Sequence, residues 1–300
     1  TRGIHAAYDK DANRLEEQLR LICQALAALP KESDYVRLPV FAERVANDPH
    51  RFDANTECGA HFLSALQIVR SQENSTYEFT NPLSSEAASE LLQSFGIIRD
   101  DLLNFVTCTG ILGYACENDA AHPVWKEAVS SKTVMNVPLR EILPLSFFRP
   151  YRGSAVFVVE NSGVFSALLD EVSDEASPAM LCTHGQFKIA ALLLIDRLVK
   201  SGTTIYYSGD LDPEGLQMAQ RLVKRHPRHI RLWRYRLQDY LTHASGEVLS
   251  SMRLRKLETI EIAALSDVKA EIARLGKPAY QEAFLPALVQ DLRFHYSRYG

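Results

Sequence analysis

Hydrophobic positions in the first third of the chain recur at helical spacing. Leu15, Leu19, Ile22, Leu26 and Leu29 place one helix over 11–29, closed by Pro30. A second helix starts after Pro39 and ends near Asn47, and a third runs over 59–69. Residues 72–76 read as a polar loop. A further helix covers 84–95, with Ser84 and Ser85 as candidate caps and Gly96 as its stop. Residues 105–114, richer in Thr, Val and Ile, read as extended.

The pattern changes near residue 150, where Pro150-Tyr151-Arg152-Gly153 is a turn signal. Short β-branched and aromatic runs at 155–159, 179–183, 203–207 and 230–233 read as buried strands. Between them lie helical patterns at 164–171, 187–200 and 213–225, and 237–300 is mostly helical. Strand and helix alternating at this spacing predict an α/β fold with a parallel sheet. The expected organisation is a mostly helical module over 1–150 and a sheet-bearing domain with a helical extension over 151–300.

Composition is that of a globular chain: 46% hydrophobic and 23% charged residues in 300. The longest apolar run, 189–195, is far too short to span a bilayer, and no basic-then-apolar leader opens the chain. Five scattered cysteines form no disulfide framework and no zinc-ligand pair. These features predict a cytoplasmic protein without a membrane partner. Net charge is −4 overall, but −6 over the first half and +2 over the second. That excludes a bulk polycation and allows a local basic surface on the second half.

Two of the expected strands end in acids. Val158-Val159-Glu160-Asn161 ends the first, and Ser208-Gly209-Asp210-Leu211-Asp212-Pro213-Glu214-Gly215 follows the third. Ligands of open parallel sheets bind at the carboxyl ends of the strands. Glu160, Asp210 and Asp212, with Glu214 opening the next helix, would repel one another there unless a cation lay among them. Hard oxygen ligands of this kind suit Mg2+ or Mn2+. The plainer alternative is that Asp210 and Asp212 shape a turn and cap the helix beginning at Pro213.

These residues resemble a known family. Glu160 at one strand end and Asp210-x-Asp212-x-x-Gly215 at a later one look like the two acidic motifs of the Toprim domain. The Asp-x-Asp-Pro-x-Gly form, with Val159-Glu160-Asn161 and Val164-Phe165, is similar to the A subunit of topoisomerase VI and the meiotic break-making transesterases. Residues 159–165, Cys182-Thr183-His184-Gly185-Gln186, 207–212, 38–52 and 56–66 resemble the JetD-type nuclease subunit of bacterial Wadjet plasmid-defence systems. The resemblance implies a Toprim-like domain preceded by a winged-helix-like module, usually in a homodimer. It implies double-stranded DNA, closed circular plasmid above all, as substrate, with an SMC-like (condensin-type) complex as partner. Carried over by position, Asp210 and Asp212 would hold Mg2+, and Glu160 would bind metal or act as general acid/base. Glu214 sits where the family varies. Members also carry more N-terminal chain, so a DNA- or partner-binding segment is expected to precede Thr1.

Candidate DNA contacts cluster after the acidic motif. Arg221, Lys224, Arg225, Arg228, Arg231, Arg234 and Arg236 fall within 221–236, interleaved with Trp233 and Tyr235. As a strand, Arg231, Trp233 and Tyr235 would share one side and Leu232, Arg234 and Arg236 the other. The segment suits phosphate contacts, or else a solvated helix end and an Arg-studded edge strand. A weaker basic cluster is Arg253, Arg255 and Lys256. His184-Gly185 should lie at the same edge, with Lys188 just inside a helix whose N-terminus favours anions. His184 reads equally well as a loop histidine bonded to backbone, and Tyr206 and Tyr207 read as core.

No P-loop, G-x-S-x-G or H-E-x-x-H motif occurs, which argues against ATPase, esterase and zinc-protease chemistry. The leading expectation is a metal-dependent DNA endonuclease using water. The alternatives are a tyrosine transesterase, for which Tyr8, Tyr35, Tyr77 and Tyr114 match no motif, and a catalytically silent DNA-binding module.

Overall fold

The computed structural model describes residues 5, 8–31, 34–73, 77, 79–80, 82–172 and 178–299. The chain divides into two compact units, Thr1–Leu103 and Asn104–Gly300.

The first unit is helical. It contains α1 (Ala12–Ala27), β1 (Val36–Arg37), α2 (Leu38–Ala46), α3 (Glu57–Glu73), α4 (Ser85–Ser94) and β2 (Ile97–Ile98). Local signals set the helix ends. Asp11 accepts from Arg14 N at 3.0 Å and Ser84 from Ala87 N at 3.1 Å, each satisfying a first-turn N–H that the helix leaves open. Asn47 ends α2 with a left-handed φ of 51°. The last turn of α3 continues through Glu73 into the expected 72–76 loop, of which 74–76 lie outside the described residues. Phe41, Phe52 and Phe62 form the centre of the core, with ring centroids 4.7–6.0 Å apart. The two short strands pair in parallel, Val36 opposite Ile97.

The second unit is built on a six-stranded sheet. Its elements are β3 (Phe105–Thr109), β4 (Ile111–Tyr114), α5 (Pro123–Ser130), β5 (Met135–Pro138), α6 (Leu139–Ile142), β6 (Phe147–Pro150), β7 (Ala155–Val159), α7 (Ser162–Glu171), β8 (Met180–Cys182), α8 (Ile189–Lys200), β9 (Thr204–Ser208), α9 (Pro213–Arg225) and β10 (Ile230–Leu232). The strand order is β10-β9-β7-β8-β3-β5. The four strands read from the sequence are there, all parallel, each within two residues of its expected bounds. All five residues of β7 are buried, which is why its sequence runs without alternation.

Two departures matter. The sheet is mixed, because β3 runs antiparallel to β8 and β5 antiparallel to β3. Hence residues 105–138 belong to the sheet unit, and the division falls at Leu103, not near residue 150. Strands drawn from either side of residue 150 hydrogen-bond to each other, Thr107 opposite Cys182, which local pattern cannot register. The expected extended stretch 105–114 is two strands, broken at Gly110. Its φ of 68° and its close approach to the Pro178 carbonyl leave no room for a side chain. β4 pairs instead with β6 as a separate ribbon.

After β10 come α10 (Leu237–His243), α11 (Ser251–Arg255), α12 (Ser266–Leu275) and α13 (Leu285–Tyr299), with short 3-10 turns between, one of them Gln281–Phe284. No helix among the described residues is long and apolar enough to cross a membrane.

The connections decide where a ligand can enter. β7 leads through α7 to β8 on one side, whereas β9, on the other side of β7, leads through α9 to β10. Adjacent strands whose exits diverge leave a crevice at their carboxyl ends. Here the switch point of the sheet lies between β7 and β9.

Within the first unit, Phe62→Ala should cost about 3–5 kcal/mol in chemical denaturation, because Phe62 is fully buried against two other rings.

Candidate functional site

Glu160 leaves β7 and Asp210 leaves β9, so carboxylates stand at the switch point of the sheet. Register places Val159 opposite Ser208, which brings Glu160 beside Gly209. A Cβ on Gly209 would fall inside the Glu160 carboxyl group, so only glycine lets the two loops close. Gly215 makes a similar allowance a few residues later, where a Cβ would overlap the Asp210 carbonyl oxygen. The turn 208–215 is therefore specified by its glycines as much as by its acids.

Each acid has its own partners. Glu160 is buried and accepts a short hydrogen bond from the Tyr207 hydroxyl. Burial pushes its pKa up to about 8, against the pull of Tyr207 and with the charges of Asp210 and Asp212 adding to the rise. Asp210 accepts from Gln281 N at 2.8 Å; burial raises it to about 6, and Asp212 adds to that rise. Asp212 caps α9, with Oδ1 accepting from Gly215 N at 2.7 Å, and its Oδ2 is paired with Arg253. Burial raises Asp212 as well. The capping role set against metal binding in the sequence is thus real for Asp212, but it uses one oxygen of two.

Glu214 differs. Partial burial works against its charge, yet hydrogen bonds from Arg253 and Lys256 hold it below the ordinary carboxylate range. Oε1 accepts from Lys256 Nζ at 2.8 Å and Oε2 from Arg253 Nη2 at 2.8 Å. Both oxygens are spoken for.

As they stand, no three His, Cys, Asp or Glu among the described residues are arranged to hold a metal ion. The chemistry of the donors fits a hard divalent cation nonetheless. Glu160, Asp210 and Asp212 supply oxygen ligands only. A guanidinium already stands against Asp212 as a cation. The buried Ser208 Oγ, two residues before Asp210, has no hydrogen-bond partner and is a further oxygen donor, whereas the unpartnered Gln281 Nε2 is an N–H donor that suits an acceptor and not a cation.

Several of these residues escaped the sequence reading. Gln281 lies about 70 positions beyond Asp210, in a stretch with no motif. It is placed by an antiparallel bridge in which Leu211 and Ala279 exchange hydrogen bonds of 2.8 and 3.0 Å. Its side chain accepts from Asn161 N at 3.1 Å, tying the two acidic loops together. Tyr207 is core, as read, but also a donor to Glu160. Tyr235 stacks on Tyr207 with centroids 6.2 Å apart. Arg253 and Lys256 were visible only as a loose basic cluster.

His184 and Gly185 follow β8 at the same edge, where Gly185 N donates to the Glu160 carbonyl at 3.0 Å. His184 has a left-handed φ of 57° and its Nε2 lies 2.5 Å from Thr107 Oγ1, which donates to Asn136. Burial, then Lys188, lowers its pKa, which favours the neutral ring. Lys188 precedes α8 as its N-cap residue, not inside it, and sits over the Phe105 ring at 4.2 Å. Asn104 Oδ1 already accepts from Ala190 N in that first turn.

The basic segment is largely paired within the protein. Lys224 bridges to Glu261, Arg225 to Asp196 with two bonds of 2.6 Å, and Arg234 to Asp291. Arg221 faces its own neighbours too. The strand stops at Leu232, and Arg234 takes a φ of 64°, so the expected alternation through residue 236 does not form. Trp233 and Tyr235 are buried and cannot stack on bases. Arg228 and Arg231 are exposed, on and beside the edge strand.

Residues 135–292 match the family model described as "Protein of unknown function C-terminus (DUF2399)", and residues 1–113 match "Protein of unknown function N-terminus (DUF3323)". No curated protein matches the chain.

Two expectations follow from the site. Gly209→Ala should weaken folding by about 1–3 kcal/mol in urea denaturation, by forcing Glu160 from its place. Because the pKa values of Glu160 and Asp210 are raised on folding, the folded chain binds more protons than the unfolded one. Without divalent cations, stability should therefore fall as pH rises between about 5 and 8. Thermal melts in chelator should show that decline, flattened in Glu160→Gln; an identical slope in the variant would contradict the assignment.

Proposed function

The chain belongs to the DUF2399 family, whose model spans more than half of it, and for this member we propose a divalent-metal-dependent endonuclease that hydrolyses phosphodiesters of double-stranded DNA. The observation that carries the reading is the meeting of Glu160, Asp210 and Asp212 at the sheet's switch point, with pKa values raised chiefly by burial and, at Glu160 and Asp210, by the neighbouring aspartates as well. Three such groups invite a counter-ion. The resemblance to Toprim nucleases of JetD type supports the same reading. It adds closed circular plasmid as substrate, an SMC-like complex as partner and a homodimer as assembly.

Asp210 and Asp212 would hold Mg2+ or Mn2+, which when bound supplies charge neutralisation at the phosphoryl oxygens. The residues of the chain do the rest. A P–O bond forms to the oxygen of water, the ester P–O bond breaks, and the proton of water passes to solvent. The leaving oxygen takes a proton from Glu160, whose pKa burial raises. Tyr207 orients Glu160. Arg228 and Arg231, with His184, Gly185 and Lys188 at the sheet edge, are the candidate contacts to the DNA backbone. Water is the preferred nucleophile, since the tyrosines beside the acids, Tyr207 and Tyr235, are buried.

The test is nicking and linearisation of supercoiled plasmid by the full chain with Mn2+ and with Mg2+. Glu160→Ala and Asp212→Ala should each lower cleavage by at least about 100-fold while leaving DNA binding in place. Full cleavage by both variants would refute the assignment. A protein–DNA adduct that survives denaturation would point to the tyrosine route. Absence of Mn2+ uptake by calorimetry would leave a silent binding module.

A further inference from the structure

Arg253 is the cation that the acidic edge already contains. Its Nη2 pairs with Asp212 Oδ2 and lies 2.8 Å from Glu214 Oε2, and its Nε lies 3.0 and 3.2 Å from the two Glu214 oxygens. The remaining nitrogen, Nη1, has Glu247 Oε1 at 3.9 Å. Asp212 Oδ1 is held by Gly215 N. Each oxygen of Asp212 therefore already carries one partner, and a divalent ion at Oδ2 would face the positive charge of Nη2 beside it.

The two partners are unequally mobile. The Asp212 side chain is 7% exposed and fixed at the start of α9, whereas Arg253 is 30% exposed. Arg253 stands on α11, a five-residue helix with no buried residue. Elements with so little buried contact move at low free-energy cost. Glu214, beside Asp212 in the first turn of α9, grips the guanidinium through Nε as well as Nη2, so Arg253 need not leave when Asp212 is taken. It would stay clamped on Glu214 through Nε and Nη2, with the Nη2 hydrogen given up by Asp212 available to another acceptor. A planar fork held beside a metal site suits a phosphate.

Resting on the endonuclease reading above, we infer that Arg253 is an exchangeable counter-ion and phosphate ligand: it holds the place of the divalent ion at Asp212, yields it when the ion binds, and then meets the scissile phosphate from its clamp on Glu214. Glu214 is on this account a positioning residue for Arg253 and not a metal ligand. α11 couples the charge state of the acidic edge to the capture of substrate.

The experiment compares the full chain with Arg253→Gln and Arg253→Lys. It uses Mn2+ titration by calorimetry, plasmid cleavage at saturating Mn2+, and circular dichroism to establish folding. Removing the competing charge should tighten Mn2+ binding by Arg253→Gln about tenfold. Cleavage at saturating Mn2+ should nevertheless fall at least about tenfold, through loss of the phosphate ligand. Arg253→Lys, which keeps the charge without the fork, should bind Mn2+ close to wild type and cleave at an intermediate rate. A salt bridge with a structural role alone would not raise metal affinity on removal. Unchanged Mn2+ affinity in both variants overturns the exchange, and unchanged cleavage in both overturns the phosphate role. Either result beside an active, Mn2+-binding wild type leaves the endonuclease reading standing. If neither the wild type nor Arg253→Gln takes up Mn2+, both fall. Uptake by Arg253→Gln alone supports the exchange directly.

Discussion

Burial of carboxylates brought together at one sheet edge is the constraint on which the candidate site of the second unit depends. Glu160, Asp210 and Asp212 are drawn into partial or full burial by the crossing of the chain between β7 and β9. Each charge placed there makes the next more costly, because the interior screens poorly. The fold answers in several ways at once. Protonation is favoured at Glu160 and Asp210, Tyr207 donates to one, a backbone N–H from Gln281 donates to another, and Arg253 neutralises the third.

The C-terminal extension contributes to this compensation. It supplies Arg253 and Lys256 from one segment and Gln281 from another, and the bridge between Leu211 and Ala279 locks the second to the acidic turn. The carboxylates are held by the sheet, while their compensating partners come from chain that lies about 40 to 70 residues later. A site so divided can keep its acids in place while its cation changes, provided that the segment carrying the cation is lightly packed, as α11 is.

Positive charge on the same unit is mostly satisfied internally. Arg225 and Arg234 make charge-assisted pairs with Asp196 and Asp291, and Trp233 donates to the same Asp291 at 2.7 Å. The basic stretch that closes α9 and runs past β10 is thus first a means of fastening these elements to α8 and α13. Any DNA contact it makes rests on fewer cations than its composition suggests.

Much of the local structure was legible in the amino-acid sequence, because it depends on neighbours in the chain. The β-branched runs of β7 and β9, the Pro213 start of α9, the Ser84 cap and the acids at two strand ends all follow from short-range preferences and burial. The 208–215 turn was legible from Asp210, Asp212 and Pro213, but its glycines were not legible as spaces cut to fit Glu160. The antiparallel addition of β3 and β5 was out of reach, since pairing across residue 150 leaves no local periodicity. So were Gln281 and Arg253, whose roles arise from contacts across long separations. Sequence alone determined that acids would end two of the strands. The tertiary structure decided which were already paired, because a hydrogen bond or ion pair depends on where two side chains meet and not on how far apart they lie in the chain.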